Sequence, residues 1–325
     1  LIFTMIQSNN EKKMKKIFNL LLLSMAFIAC EPDHTDPIPA EYVTDKLTVS
    51  EDQKAFLLET TGTWCQYCPN GAASMLEMQS TYNTDGDSNI RVIGFASHTG
   101  DPLVTPVQTL LNNTFTTTGV PNFYVNNEDV GQSISGPTGA ALAGTPSVGV
   151  SHISSQNEAG DSTMVDIKVQ FFEDKKNIAY YVQSYLLATG IVAKTYDLGG
   201  LPVDLNQVSS VAIVTTGSGN TPTTWAVDTW GKKAGEVYTH DHIPFASGIT
   251  SFEWGVKLDT INPLGQSYFE GDIFGSKYTP IKLVIPHEVQ GVPVPPGVEY
   301  EVVTIIWSER FDGTPGVLFV NGFQG

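Results

Sequence analysis

The sequence predicts an α/β domain over residues 47–145 followed by an all-β, sandwich-like domain over 146–325. Two observations divide the chain there. Short apolar runs alternate with helix-like segments up to about position 145. Beyond it, strand-like alternation takes over, broken by Gly and Pro turns and free of long helical patterns. A third observation marks the chemistry: Cys65-Gln66-Tyr67-Cys68 stands between an apolar run and a helix-like segment.

The chain begins with a leader-like stretch. Residues 1–13 read as upstream of the true start. Met14-Lys15-Lys16 then opens an export signal, with an apolar run from Ile17 to Ile28 and the small Ala29 before Cys30. That run is too short for a comfortable membrane span. Phe27-Ile28-Ala29-Cys30 resembles a lipoprotein cleavage box, bulkier than usual at Phe27 and Ile28. Cys30 is therefore expected to become a lipidated first residue; the plainer alternative is an ordinary signal peptide or retained anchor with an incidental cysteine. Residues 30–46 are rich in Pro and acid and have no apolar period, as a solvated tether would.

Within 47–145, Ala55-Phe56-Leu57-Leu58-Glu59 is apolar enough for a buried strand. A helix is expected over 65–82, a polar turn over 83–89 and a second strand over 90–96. A helix over 102–115, a third strand at Asn122–Val125, a turn at Asn126-Asn127 and a weak helix over 133–143 complete the domain. In the second domain, 163–172 sets Val165, Ile167, Val169 and Phe171 on one face and Asp166, Lys168 and Gln170 on the other. Further strands are expected over 178–188, 208–214, 249–258, 281–285 and 301–307, for which a β-sandwich is the default. Pro293-Val294-Pro295-Pro296 reads as a rigid loop.

The charge narrows the function classes. There are 34 acidic and 17 basic residues, a net charge of −17. Residues 1–29 hold four lysines and one glutamate, so the remainder carries −20. Such a surface repels nucleic acid and anionic membrane faces. Membrane attachment would come from acyl chains and not from basic patches.

With Cys30 assigned to lipid, Cys65 and Cys68 are the only cysteines left. A strand, a tight turn with Cys-x-x-Cys and then a helix is the setting in which a dithiol becomes reactive. The helix N-terminus presents unpaired N–H groups and partial positive charge, which favours thiolate. The two-residue spacer lets the second sulfur close a small disulfide. A purely structural disulfide is the rival reading.

Four features beyond the cysteine pair resemble the thioredoxin fold. Trp64 directly precedes Cys65. Glu59 lies six residues before Cys65. Gly119-Val120-Pro121 precedes the strand Asn122-Phe123-Tyr124-Val125. Asn126-Asn127 is followed by a short helix. The wider chain resembles the outer-membrane protein 28-related family of exported lipoproteins from Bacteroidetes. The match is carried by Thr61-Gly62-Thr63-Trp64-Cys65 through Cys68-Pro69, by His98-Thr99-Gly100-Asp101-Pro102 and by Tyr238-Thr239-His240-Asp241-His242. The basic residue expected soon after His242 is absent. The long separation between Cys65 and Pro121 implies an insertion around His98 to Pro106.

The resemblance implies a thioredoxin-like first domain and assigns roles. Cys65 attacks and Cys68 resolves. Glu59, buried beneath Cys68 with a raised pKa, relays the proton that Cys68 loses. A cis Val120-Pro121 bond faces the sulfurs, and the Val120 backbone edge receives a substrate strand. Trp64 walls the site. A solvent-facing Glu59 and a trans Pro121 are the plainer readings. The resemblance also implies attachment to the outer membrane, on its periplasmic or cell-surface face.

Three histidines invite other readings. His98 closes a strand at the end where sites gather in open sheets, though a loop histidine is the plainer reading. His240 and His242, two apart, would project from one face of a strand and could share a metal, but no third ligand is evident and no metal is expected. Asn83-x-Asp85-x-Asp87 is half of a calcium loop without the distal Glu, hence a turn.

Two functions follow. The first is a lipid-anchored thiol–disulfide oxidoreductase whose partners are exported protein thiols and disulfides or a redox partner protein, with no further cofactor. The second is a surface-exposed binding or adhesin-type lipoprotein in which Cys65–Cys68 is a structural disulfide. Neither the direction of electron flow nor an oligomeric state is readable from the sequence.

Overall fold

A computed structural model describes residues 41–83, 90–192, 195–198, 201–204, 207, 238–248, 254–289, 292–293, 297–310 and 316–325. The leader with Cys30, most of the tether, the turn holding Asp85 and Asp87, the strand expected over 208–214 and most of the 293–296 loop lie outside the described residues.

The strand β1 (Ala55–Thr61) is buried at every residue, which accounts for its apolar run Ala55–Leu58 and leaves Glu59, Thr60 and Thr61 as buried polar residues. Strand β2 (Val92–His98) is equally buried and pairs with it in parallel, placing Ala55 opposite Val92 and Thr61 opposite His98. Between them runs helix α1 (Cys68–Tyr82), which starts three residues later than expected. Pro69 sits in its first turn, where a missing N–H is harmless, so Cys65, Gln66 and Tyr67 remain in the turn before it. Helix α2 (Pro106–Thr114) also starts late: the Thr105 side chain caps it by accepting from the Gln108 N–H, and Pro106 opens it.

Strand β3 (Asn122–Val125) runs antiparallel to β1, and β4 (Glu128–Gly131) antiparallel to β3, giving the order β2-β1-β3-β4. Asn126 makes the turn between them in the left-handed region (φ 53°) and bonds Phe56 through backbone and side chain. Helix α3 (Ser135–Leu142) follows.

The remaining chain is β-rich. In chain order its main strands are β5 (Val148–Gln156), β6 (Ser162–Phe171), β7 (Tyr180–Thr189), β8 (Ile191–Val192), β9 (Thr239–His240), β10 (Ile243–Ser247), β11 (Val256–Lys257), β12 (Ile273–Phe274), β13 (Lys282–Pro286), β14 (Glu299–Glu309) and β15 (Val317–Gln324). One antiparallel sheet has the order β10-β7-β14-β15 with β11 also on β7; the other has the order β12-β6-β13 with β5 also on β6. Strands β5, β10 and β15 escaped the sequence reading. Ser and His interrupt β5, Pro244 enters β10 beside a bulge, and Asn321-Gly322 dilutes β15. The strand expected over 249–258 is shorter where described: β11 ends at Lys257 and a 3₁₀ turn begins at Leu258.

Three apolar cores form among the described residues. Leu57, Met75, Met78 and Phe123 pack beneath α1. Val150, Ile167, Val182, Leu186, Leu283 and Ile306 fill the space between the two antiparallel sheets. A third core joins the two architectures: Phe56, Leu58, Ile93 and Phe95 meet Tyr185, Leu187, Ile305, Trp307 and Phe319. Phe56 stands edge-on to Trp307 at 5.7 Å and stacks on Phe319 at 5.3 Å, and the Trp307 indole donates to Tyr185 Oη at 3.0 Å. The change of pattern near residue 145 is thus a change of architecture across a shared core.

The segment after His98 adds to this joint. Leu103 enters the core of the β-rich part, and Thr105 Oγ1 donates to the Pro244 carbonyl at 3.1 Å. At the outer edge of β2, the Ala96 N–H donates to the His242 carbonyl at 2.9 Å.

Candidate functional site

Past Thr61 the chain leaves β1 through two consecutive turns. The Cys65 N–H donates to the Gly62 carbonyl at 3.0 Å, and the Cys68 N–H donates to the Cys65 carbonyl at 3.4 Å. The turns bring the two cysteine Cα atoms to 5.4 Å, and the sulfurs are joined as a disulfide. Both cysteines are buried, while Trp64 and Tyr67 beside them are 52% and 54% exposed. The Trp64 indole N–H donates to the Thr99 carbonyl at 2.8 Å, which lays the ring over Gly62.

Glu59, two residues from the end of β1, is wholly buried. Neither carboxyl oxygen has a hydrogen-bond partner among the described residues. Burial pushes its carboxyl up to about 8, against a smaller opposing effect of the Thr61 side chain. The acid is held from two sides. A Cβ added at Gly71 of α1 would collide with Glu59 Oε1 and with Pro121 Cβ, so β1, α1 and the Val120-Pro121 loop meet at one point. The Val120-Pro121 peptide is cis, and the Val120 carbonyl oxygen lies 3.7 Å from Cys65 Sγ. Cys65, Cys68, Glu59, Val120 and Pro121 therefore converge from three separate segments, with Trp64 on their exposed rim.

The histidines fall differently from expectation. His98 is no loop histidine: it ends β2, is buried, and its Nδ1 lies 2.7 Å from Asp101 Oδ2. That same Oδ2 accepts the Thr63 N–H at 2.7 Å, and Asp101 Oδ1 accepts the Leu103 N–H at 2.9 Å. Burial opposes ionisation of Asp101, but His98 and the two amides outweigh it and hold the carboxyl below its usual range. His240 and His242 do not share a strand face, because β9 stops at His240 and His242 adopts φ 56°. The His240 ring packs against that of His98 at 5.3 Å, while His242 Nδ1 lies 3.5 Å from Glu301 Oε2. Among the described residues no three potential metal ligands cluster.

The sequence reading assigned no role to Gly71, Asp101, Gln207 or Tyr238. Asp101, three residues after His98, carried a readable signal, since a carboxylate at that spacing can return to the ring. Gln207 carried none, yet its side-chain amide donates to the carbonyls of Gly62 and Cys65. Tyr238 is half-buried, and its hydroxyl pKa is raised by burial and by the nearby carboxylates of Glu59 and Asp241.

No family model and no curated protein matches this chain. A solved structure of HBP35 of Porphyromonas gingivalis is similar in fold, with a TM-score of 0.51 at 15% identity over 86% of this chain and 76% of that one.

Proposed function

We propose that this chain is a thiol–disulfide oxidoreductase acting on exported proteins, with a thioredoxin-like domain joined to a β-sandwich. The parallel β1–β2 pair, the sheet order β2-β1-β3-β4 and α1 following the cysteines support the first part. Two antiparallel sheets over one core support the second. Cys30 and its preceding apolar run support a lipid anchor in the outer membrane.

The observation that carries the redox reading is Glu59. An acid buried this completely, with no close hydrogen-bond partner among the described residues, costs free energy and gives a structural disulfide nothing. A group that ionises near pH 8 beside the cysteine helix can take and return a proton. In the reducing direction, the Cys65 thiolate attacks one sulfur of a substrate disulfide and the other substrate sulfur leaves as a thiolate, which takes a proton from solvent. Cys68 then gives its proton to ionised Glu59 and attacks Cys65 Sγ. The second substrate thiolate leaves and takes a proton from solvent, so the two electrons lost by the Cys65–Cys68 dithiol reside in the two substrate thiols and the pair is left as the disulfide. A redox partner dithiol returns the pair to the reduced state. Run backwards, the same steps oxidise substrate thiols.

Insulin reduction by the full chain in detergent, driven by a dithiol reductant, tests the reading. Turnover that Cys65→Ser abolishes is expected; no turnover above the Cys65→Ser background overturns it. The burial of both cysteines favours the second reading, a surface binding lipoprotein with a locked disulfide, which predicts that background result.

A further inference from the structure

We propose that Gln207, contributed by the β-rich part of the chain, is a positioning residue that sets the dithiol–disulfide equilibrium of Cys65 and Cys68. The inference rests on reading that pair as a reversible couple, but not on enzymatic turnover.

Gln207 is almost completely buried. Its Nε2 donates to the Cys65 carbonyl at 2.9 Å and to the Gly62 carbonyl at 3.2 Å. A side-chain amide nitrogen carries two hydrogens, so both contacts can be made at once. The two acceptors are the carbonyls that define the consecutive turns, since Gly62 also accepts from Cys65 N–H and Cys65 from Cys68 N–H. One amide therefore fastens both turns from outside. Asp101 also accepts the Thr63 N–H, and the Thr99 carbonyl accepts from Trp64. The cysteine turn is thus held by donors and acceptors that lie more than thirty residues away along the chain.

The fastening is present in the disulfide form. A turn held in the geometry that joins the sulfurs keeps their effective concentration high once they are reduced, and so favours the disulfide. Removing the amide frees the turn in the dithiol state and leaves two buried carbonyls each short of a donor in the disulfide state. Both effects favour the dithiol.

The test is equilibration of the full chain in detergent with glutathione at several ratios. In it, two glutathione thiols reduce the Cys65–Cys68 disulfide to two thiols and leave as one glutathione disulfide. The redox state is read by mass spectrometry on the peptide containing both cysteines. Gln207→Ala is expected to lower the equilibrium constant for the disulfide about tenfold, a potential rise of about 30 mV. Gln207→Glu keeps the shape but, when ionised, has no hydrogen to donate, and should lower it at least as far. Equilibrium constants within about twofold of the parent for both variants overturn the proposal. A drop in Gln207→Ala alone reduces Gln207 to packing and overturns it as well. Absence of insulin reduction by the parent chain would remove the enzyme reading and leave this equilibrium measurable.

Discussion

Glu59 Oε1 lies too close to helix α1 at Gly71 to leave room for a Cβ there. The glycine lets helix α1 close on a buried carboxyl and on Pro121 together. Gly is a poor helix former, and Ala at such a site would ordinarily stabilise by up to about 1 kcal/mol. Here overpacking should outweigh that gain. Gly71→Ala is expected to destabilise the chain by about 1–3 kcal/mol in urea unfolding. A stabilised variant would mean that the three segments meet less closely.

The raised pKa of Glu59 has a definite sign. Its ordinary carboxyl value is 4.5 and its folded value about 8, so across that window the native state holds a proton that the unfolded state has lost. Stability from this group is complete below pH 4.5 and declines as pH rises through about 8. Glu59→Gln should therefore remove a decline of several kcal/mol in order of magnitude, most visibly as a parent-to-variant stability crossover at alkaline pH. The same variant should slow the Cys68 step by about 10²-fold and erase its dependence on a group titrating near 8. Equal pH profiles for the two proteins would remove Glu59 from the proton path.

Asp101 behaves in the opposite sense. Its carboxyl is held low, so the stability it contributes is present above its unfolded value of 3.8 and is lost as pH falls through the folded value. Asp101→Ala is expected to cost about 1.5–3 kcal/mol at neutral pH, because charge-assisted bonds to His98 and Thr63 disappear. The part of that cost that depends on the ionised carboxyl should shrink as pH falls through the folded value. Urea titrations at pH 7 and at successively lower pH check both halves.

How much of this was readable beforehand depended on locality. Cys65 and Cys68 show in the local strand-turn-helix pattern, while Glu59, Trp64, Val120 and Pro121 stand out through the resemblance of their surroundings to the thioredoxin fold; all but Trp64, which lies on the rim, converge from three segments. The bond of Asp101 to His98 is local, whereas its second partner Thr63 is brought close only by the parallel pairing of β1 with β2. Gln207 lies 142 residues from Cys65, and no local pattern announces such a contact. The shared core was hidden for the same reason. Phe56 and Trp307 each read as the interior of a separate domain, whereas they face one another.

That core gives a test by dissection. Residues 47–145 expressed alone would expose Phe56, Leu58, Ile93 and Phe95 to water. The fragment is expected to bind a hydrophobic dye and to show no cooperative melting transition. A cleanly melting fragment would show that the shared core is dispensable.

Reduction should do far less damage than dissection. The disulfide links residues only three apart, so in the chain-entropy account opening it costs about 2 kcal/mol. The melting temperature is expected to fall by only a few degrees in a dithiol reductant. Loss of the transition on reduction would make the pair a structural staple.

The bond from the Ala96 amide to the His242 carbonyl has a consequence for assembly. Strand β2 is the margin of its sheet, and an open margin is where a second molecule or an unfolded chain can dock and extend the ladder. At Ala96 that vacancy is filled from within the same chain. An incoming strand seeking such a margin finds no foothold at Ala96.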